Sequence, residues 1–259
     1  MARLGTAIST AIGTTIDAAP DAARALQIAS YNVHGCVGGD GVADAARVGA
    51  VIAELGCDTV GLQEVNYLGV LAAASGLAPI EGHPHLWHER HVGNALLTRR
   101  PVLAVRHHEF GLPRCEPRAA LDVDLDVEGT KVRVIVTHLG LPPAERRYQV
   151  KQLLTAIRHT PLDEPIVVLG DINEWLPLGR PLRWMHALLG RSPAERSFPA
   201  RWPLLALDRV WVRPRDALVA FGAHRSKLAA LASDHLPVRA VIDVRTRAAE
   251  RSSVARAAA

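Results

Sequence analysis

Aromatic residues are scarce in this chain. Three Phe, three Tyr and five Trp make up 4% of 259 residues, too few for a run of stacking platforms under a single nucleic-acid strand. Cysteine is scarcer still. Cys36, Cys57 and Cys115 are odd in number and widely spaced, which argues against a disulfide framework or a thiolate zinc site and for a reducing, cytoplasmic compartment. No apolar run approaches the ~18 residues required to span a membrane. Charge of one sign is also missing from most of the length. The net charge is +4, but residues 245–259 hold four arginines against one glutamate, so most of the excess sits in a terminal tail. Such a tail reads as solvated and disordered rather than as a nucleic-acid groove.

What is present is a large apolar fraction, 49% of residues, enough for a sizeable core. Residues 1–25 are rich in Ala and Thr and read as a mobile or helical extension; a cleaved signal is the alternative, although no unbroken apolar stretch follows Arg3. From residue 26 to 244 strand-like and helix-like patterns alternate. Leu26–Tyr31, Thr59–Gln63, Gly93–Thr98, Val102–His107, Leu121–Val127, Lys131–Thr137, Pro165–Leu169, Leu207–Val212, Ala217–Phe221 and Val238–Val244 read as strands. Asp44–Leu55, Pro143–His159 and Leu182–Leu189 read as helices, the first closed by Gly56. The mixture predicts one layered α/β domain over 26–244.

Four polar motifs stand at the ends of apolar runs: Tyr31-Asn32-Val33-His34-Gly35, Gln63-Glu64-Val65, Gly170-Asp171-Ile172-Asn173 and Ser233-Asp234-His235-Leu236-Pro237. Acids, amides and imidazoles gathered at strand ends are what hydrolysis of an anionic phosphodiester needs. Glu64 is the first candidate metal ligand, with Asn32 offering an amide oxygen and Asp234 a second carboxylate. Oxygen donors suit Mg²⁺ or Mn²⁺. Asp171 and Asn173 lie two apart, which in an extended segment puts them on one side. Asp171 can then accept a proton from water while Asn173 orients it; a simple Gly-Asp-x-Asn turn remains the alternative. Asp208 and His235 read as an acid–imidazole pair, and His138 as a candidate for the leaving-group side. Asn94 and Arg118 are candidate substrate contacts, Arg118 through its planar fork, with a surface ion pair equally open. His83, His85, His88 and His91 fit zinc spacings poorly and read as a loop beside the cleft. Trp202 is open between a rim position and plain packing.

At these motifs, and at Gly93–Arg99, Thr137–Gly140 and Leu207–Val212, the chain resembles the endonuclease/exonuclease/phosphatase superfamily of metal-dependent phosphoesterases, in the family's order and over nearly the whole length. The resemblance implies a four-layer α/β/β/α sandwich of two mixed β-sheets flanked by helices, with Asp171 as general base. The substrate expected is a phosphate ester, be it nucleic acid, a phospholipid head group or a small ester. A catalytically inactive binding protein on the same scaffold is the alternative, as is a non-specific nucleic-acid binder using the basic tail. Oligomeric state is left open.

Overall fold

The computed structural model describes residues 25–82, 85–87 and 90–244, with side chains left out from 85 to 92. The extension read at 1–25 (Ala25 apart), the tail at 245–259 and the positions of His83 and His88 lie outside the described residues. In chain order the elements are β1 (Ala25–Asn32), α1 (Ala45–Leu55), β2 (Thr59–Gln63), α2 (Leu68–Ser75), β3 (Ala78–Glu81), β4 (His85–Trp87), β5 (Arg90–Val92), β6 (Ala95–Thr98), β7 (Val102–Glu109), β8 (Ala119–Val127), β9 (Thr130–His138), α3 (Pro143–Ile157), β10 (Ile166–Asp171), α4 (Arg180–Leu189), β11 (Asp208–Arg213), β12 (Leu218–Ala223), α5 (Ala229–Ala232) and β13 (Val238–Asp243).

Alternation along the strands sorts side chains into layers. On β1, Leu26 and Ile28 face inward while Ala29 and Tyr31 face outward; on β8, Leu121, Val123 and Leu125 face inward. The inward sets of both sheets form one apolar layer with Val134, Val167, Val210 and Val238. The first sheet runs β12-β13-β1-β2-β6-β3 and the second β11-β10-β9-β8-β7. Outside the first sheet, α1 supplies Val48, Val51, Ile52 and Leu55; outside the second, α3 and α4 supply Val150, Leu153, Leu182 and Met185. The order is therefore helix, sheet, sheet, helix: the four-layer α/β/β/α sandwich. Asp44 caps α1 by accepting from Arg47 N, and Gly56 closes it in the left-handed region. A separate hairpin, β4-β5, carries His85 and His91.

Topology brings the motifs to one edge. β1 and β2 are parallel, with Asn32 opposite Gln63. β9 and β10 are parallel, with His138 opposite Asp171, and antiparallel β11 starts with Asp208 opposite the same Asp171. β13 begins just after Leu236-Pro237, paired with β1 at Ser30. Gly170 makes the second junction possible. Its φ is 147°, and a Cβ there would stand 1.8 Å from the Thr137 carbonyl oxygen, so only glycine lets β10 close on β9 at this point.

Candidate active site

The motifs converge on a cleft of about 730 Å³ whose wall includes Glu64, Arg118, His138, Asp171, Asp234 and His235. Local backbone strain aims two of its side chains. Glu64 lies just past β2 with φ 53°, and Asn173 just past β10 with φ 53°; both are in the left-handed region, where non-glycine residues are uncommon.

Asn173 corrects the geometric argument for its pairing with Asp171. The segment is not extended. Asp171 Oδ1 accepts from Asn173 N at 3.0 Å, so a side-chain-closed turn, not strand alternation, brings both groups to the cleft. The Asn173 amide is tied by Nδ2 to Leu139 O at 2.8 Å.

Asp171 is the hub. Its Oδ2 accepts from Asn32 Nδ2 at 3.1 Å and stands 3.4 Å from His138 Nε2 and 3.6 Å from His235 Nε2. Burial raises the carboxyl, the His235 charge and the Asn173 and Asn32 hydrogen bonds oppose that, and it settles at about 6. His235 Nδ1 lies 2.8 Å from Asp208 Oδ2, which also accepts from Ser197 Oγ at 2.5 Å. Burial pulls the His235 imidazole down, but Asp208 and Asp171 outweigh it and lift it to about 10. It is therefore a cation at neutral pH. Phe198 packs on its ring, centroids 4.9 Å apart.

His138 is the opposite case. Burial, then the charges of Arg118 and His235, push it well below the usual histidine range. Arg118 Nη1 donates to His138 Nδ1 at 2.8 Å. An arginine can only donate, so Nδ1 accepts, and Nε2 faces both the Asn173 Nδ2 amide at 3.1 Å and Asp171 Oδ2 at 3.4 Å. His138 is thus held as a neutral ring on the cleft wall. Arg118 is 7% exposed and also pairs with Glu116 at 2.9 Å; it is not a surface ion pair.

Asn32 needs a correction as an oxygen donor. Its Oδ1 accepts from the His34 backbone N–H at 3.0 Å, and its Nδ2 donates to Glu64 and Asp171, each at 3.1 Å. A backbone N–H has no acceptor role, so the amide is fixed with nitrogen toward the carboxylates. Asp234 lines the same cleft, its Oδ1 3.7 Å from His34 Nδ1. Asn94 does not line the large cleft. It borders a small neighbouring pocket with Arg118 and His138, and its Nδ2 donates to Ala119 O at 2.7 Å. Trp202 is 72% exposed, which excludes plain packing; the cleft wall itself is lined by Trp175. Sequence reading missed Ser197, Phe198, Glu116 and Trp175. None belongs to a motif, though Ser197 and Phe198 stand shortly before Asp208.

The donor chemistry suits a divalent cation. Four carboxylates line the cleft, Glu64, Glu116, Asp171 and Asp234, and a phosphodiester anion meets repulsion there unless positive charge offsets it. Among the described residues no three His, Cys, Asp or Glu side chains are arranged around a metal position. Mg²⁺ does not require that, because it keeps waters and commonly takes one or two carboxylates.

A model of the endonuclease/exonuclease/phosphatase family matches residues 29–235. The chain is 30% identical over 169 residues to "Uncharacterized protein YbhP" of Escherichia coli (strain K12), covering 62% of this chain and 66% of that protein, just under two thirds. A solved endonuclease/exonuclease/phosphatase from Beutenbergia cavernae superposes with a TM-score of 0.69 at 23% identity, over 85% of this chain and 72% of the other. D. rerio TDP2 complexed with single strand DNA product superposes with a TM-score of 0.66 at 18% identity, over 84% and 98%.

Proposed function

Because this chain belongs to the endonuclease/exonuclease/phosphatase family, whose members are hydrolases acting on phosphoesters, we propose that it hydrolyses a phosphodiester with the help of Mg²⁺ or Mn²⁺. The observation that carries the reading is Asp171 Oδ2, held on a cleft wall within 3.6 Å of Asn32, His138 and His235. A carboxyl raised to about 6 is ionised at neutral pH yet basic enough to take a proton from attacking water. Asn173 holds the loop that aims it. Asp208 orients the His235 ring and keeps it cationic, so the imidazolium faces the charge that grows on the phosphoryl oxygens. Neutral His138, oriented by Arg118 on Nδ1 and by Asn173 and Asp171 on Nε2, would serve the leaving-group side. Glu64 and Asp234 would hold the cation, which would supply charge neutralisation at the phosphoryl oxygens, while the Asn32 amide nitrogen steadies the Glu64 carboxylate. All three cysteines are free thiols, which supports the cytoplasmic reading. No helix among the described residues is long and apolar enough to cross a membrane.

The test is turnover of bis-p-nitrophenyl phosphate by the purified full chain with Mg²⁺, Mn²⁺ or EDTA. Wild type should turn over only with metal. Glu64→Gln should lose most activity at low metal and regain part of it at high metal, because one charged oxygen donor is gone. A folded wild-type protein with no metal-dependent activity on this diester, DNA, RNA or phospholipid would sink the reading.

A further inference from the structure

Three loops meet at the mouth of the cleft, and their exposed side chains are largely apolar. β9, β10 and β11 end or begin in register at His138, Asp171 and Asp208. Segments 139–142, 172–179 and 198–207 therefore open at the same edge of the sheet. Leu141, Trp175, Phe198 and Leu205 line the cleft itself. Just beyond them Leu176, Leu178, Trp202 and Leu204 are 58, 82, 72 and 67% exposed. Scattered exposed leucines are ordinary; a neighbouring set around the mouth of a polar cleft is a mark of an interaction surface.

This exposure is built into the fold. Arg146, 2% exposed, donates to Gly140 O at 3.2 Å and to Leu141 O, faces Glu174 at 3.6 Å and lies over the Trp175 ring at 5.4 Å. One buried guanidinium thus clamps the first two loops with Leu141 and Trp175 turned out. The third loop is a tight reversal. Leu204 and Leu205 N–H both donate to Phe198 O at 2.8 Å, and Trp202 N–H donates to Pro199 O at 3.0 Å, which places Trp202 near its tip.

We infer that this rim docks on the surface of a phospholipid bilayer, and that the diester taken by the cleft is a phospholipid head group presented there. The inference rests on the phosphoesterase reading. Trp and Leu side chains at an interface gain by leaving water for the acyl boundary, and Trp is favoured at head-group depth. Arg180 and Arg201 are exposed beside this set, close to Leu178 and Trp202, where they complement anionic lipid. A nucleic-acid strand fits less well. Four of the six side chains in this exposed set are leucines, Leu141, Leu176, Leu178 and Leu204 beside Trp175 and Trp202, and leucine gives a polyanionic strand neither charge nor a stacking face.

The experiment compares the full chain with Leu178→Ser/Trp202→Ser/Leu204→Ser, three exposed positions off the cleft wall whose change leaves the core intact. Both are sedimented in EDTA with vesicles of phosphatidylcholine, with and without phosphatidylglycerol, and tested for retention on a single-stranded oligonucleotide. Turnover of bis-p-nitrophenyl phosphate and of vesicle lipid is then measured with Mg²⁺ or Mn²⁺. The expected result is vesicle binding by wild type, strengthened by phosphatidylglycerol, and at least about ten-fold weaker binding by the triple variant. Lipid turnover should fall in parallel, with soluble-diester turnover unchanged. No vesicle binding by wild type, or equal binding by both proteins, overturns the docking even if the soluble diester is cleaved. Loss of oligonucleotide retention without loss of vesicle binding overturns it in favour of a nucleic-acid strand. Vesicle binding without hydrolysis of any diester upholds the docking and overturns both the head-group assignment and the phosphoesterase reading.

Discussion

Asp122 on β8 and Asp171 at the end of β10 are both buried aspartates in the same sheet, and their surroundings drive them in opposite directions. Asp122 is fully enclosed, yet it accepts from Arg133 Nη2 at 2.5 Å and Arg106 Nη2 at 2.8 Å and lies 2.8 Å from His108 Nε2. Burial pushes its carboxyl up, but hydrogen bonds from His108, Arg133 and Arg106 outweigh that and hold it well below the usual carboxylate range. Asp171 has amide donors and one cation, His235, at 3.6 Å, with the Asp208 charge working against it; burial wins and the carboxyl rises to about 6. Desolvation is common to both. The number of cationic donors within hydrogen-bond reach decides whether the group is a fixed structural anion or a proton acceptor.

The largest effect should come from breaking the structural member. Asp122→Ala leaves Arg133 and part of Arg106 buried without their anion, and stability should fall by about 3–5 kcal/mol. Urea unfolding at neutral pH measures it, and activity per folded molecule should survive. A drop below about 1 kcal/mol would mean that water or Asp124 takes over both guanidiniums, and the comparison would lose its structural half.

Asp171→Asn should do the reverse. We expect at least about 100-fold lower kcat on a soluble diester, with stability at pH 7 in EDTA unchanged or higher, because an amide costs less to bury than a carboxylate that burial disfavours. Wild-type kcat in this variant would remove Asp171 as the base. A large loss of stability would show it to be a second Asp122.

Asp208→Asn should act one step removed, as a positioning change. The amide cannot hold His235 near 10, so the ring should titrate lower and turnover should fall about ten-fold, by analogy with the loss of an outer partner that orients a histidine. Titration of the His235 ring by NMR separates this from a merely structural role. An identical titration in both proteins would break the pair.

Much of this site was readable because strands announce their ends: an apolar run stops and Asn32, Glu64, His138 or Asp171 follows. The two-sheet arrangement came from family resemblance, since period-two alternation does not say which strands share a sheet. Helix α2, Leu68–Ser75, escaped because Leu-Gly-Val-Leu-Ala-Ala-Ala-Ser has no polar face, and its preceding residue, Tyr67, is in the left-handed region with no side-chain cap. The low basicity of His138 was not legible, because burial and then Arg118, 20 residues away, set it. Nor was Arg146, a charge on a helix that the fold buries under two loops. Asx-turn closure at Asn173 looks the same in sequence as the extended pairing it replaced.

The last effect is a tilt of stability with pH, and its sign sharpens the contrast. The folded Asp122 carboxyl titrates below its unfolded value of about 3.9. Its contribution is present above about pH 4 and is lost as pH falls, by at most about 1.4 kcal/mol per pH unit, so roughly 1 kcal/mol between pH 5 and pH 3. Asp171 is raised to about 6. Its favourable contribution exists below about pH 4 and is lost as pH rises through about 6, where the buried group must ionise. Urea unfolding in EDTA from pH 3 to pH 7 should therefore give two separable limbs. Asp122→Asn should flatten the acid limb, and Asp171→Asn the limb between about pH 4 and pH 6. If both substitutions flatten the same limb, the two aspartates share one environment and the division between structural anion and proton acceptor fails.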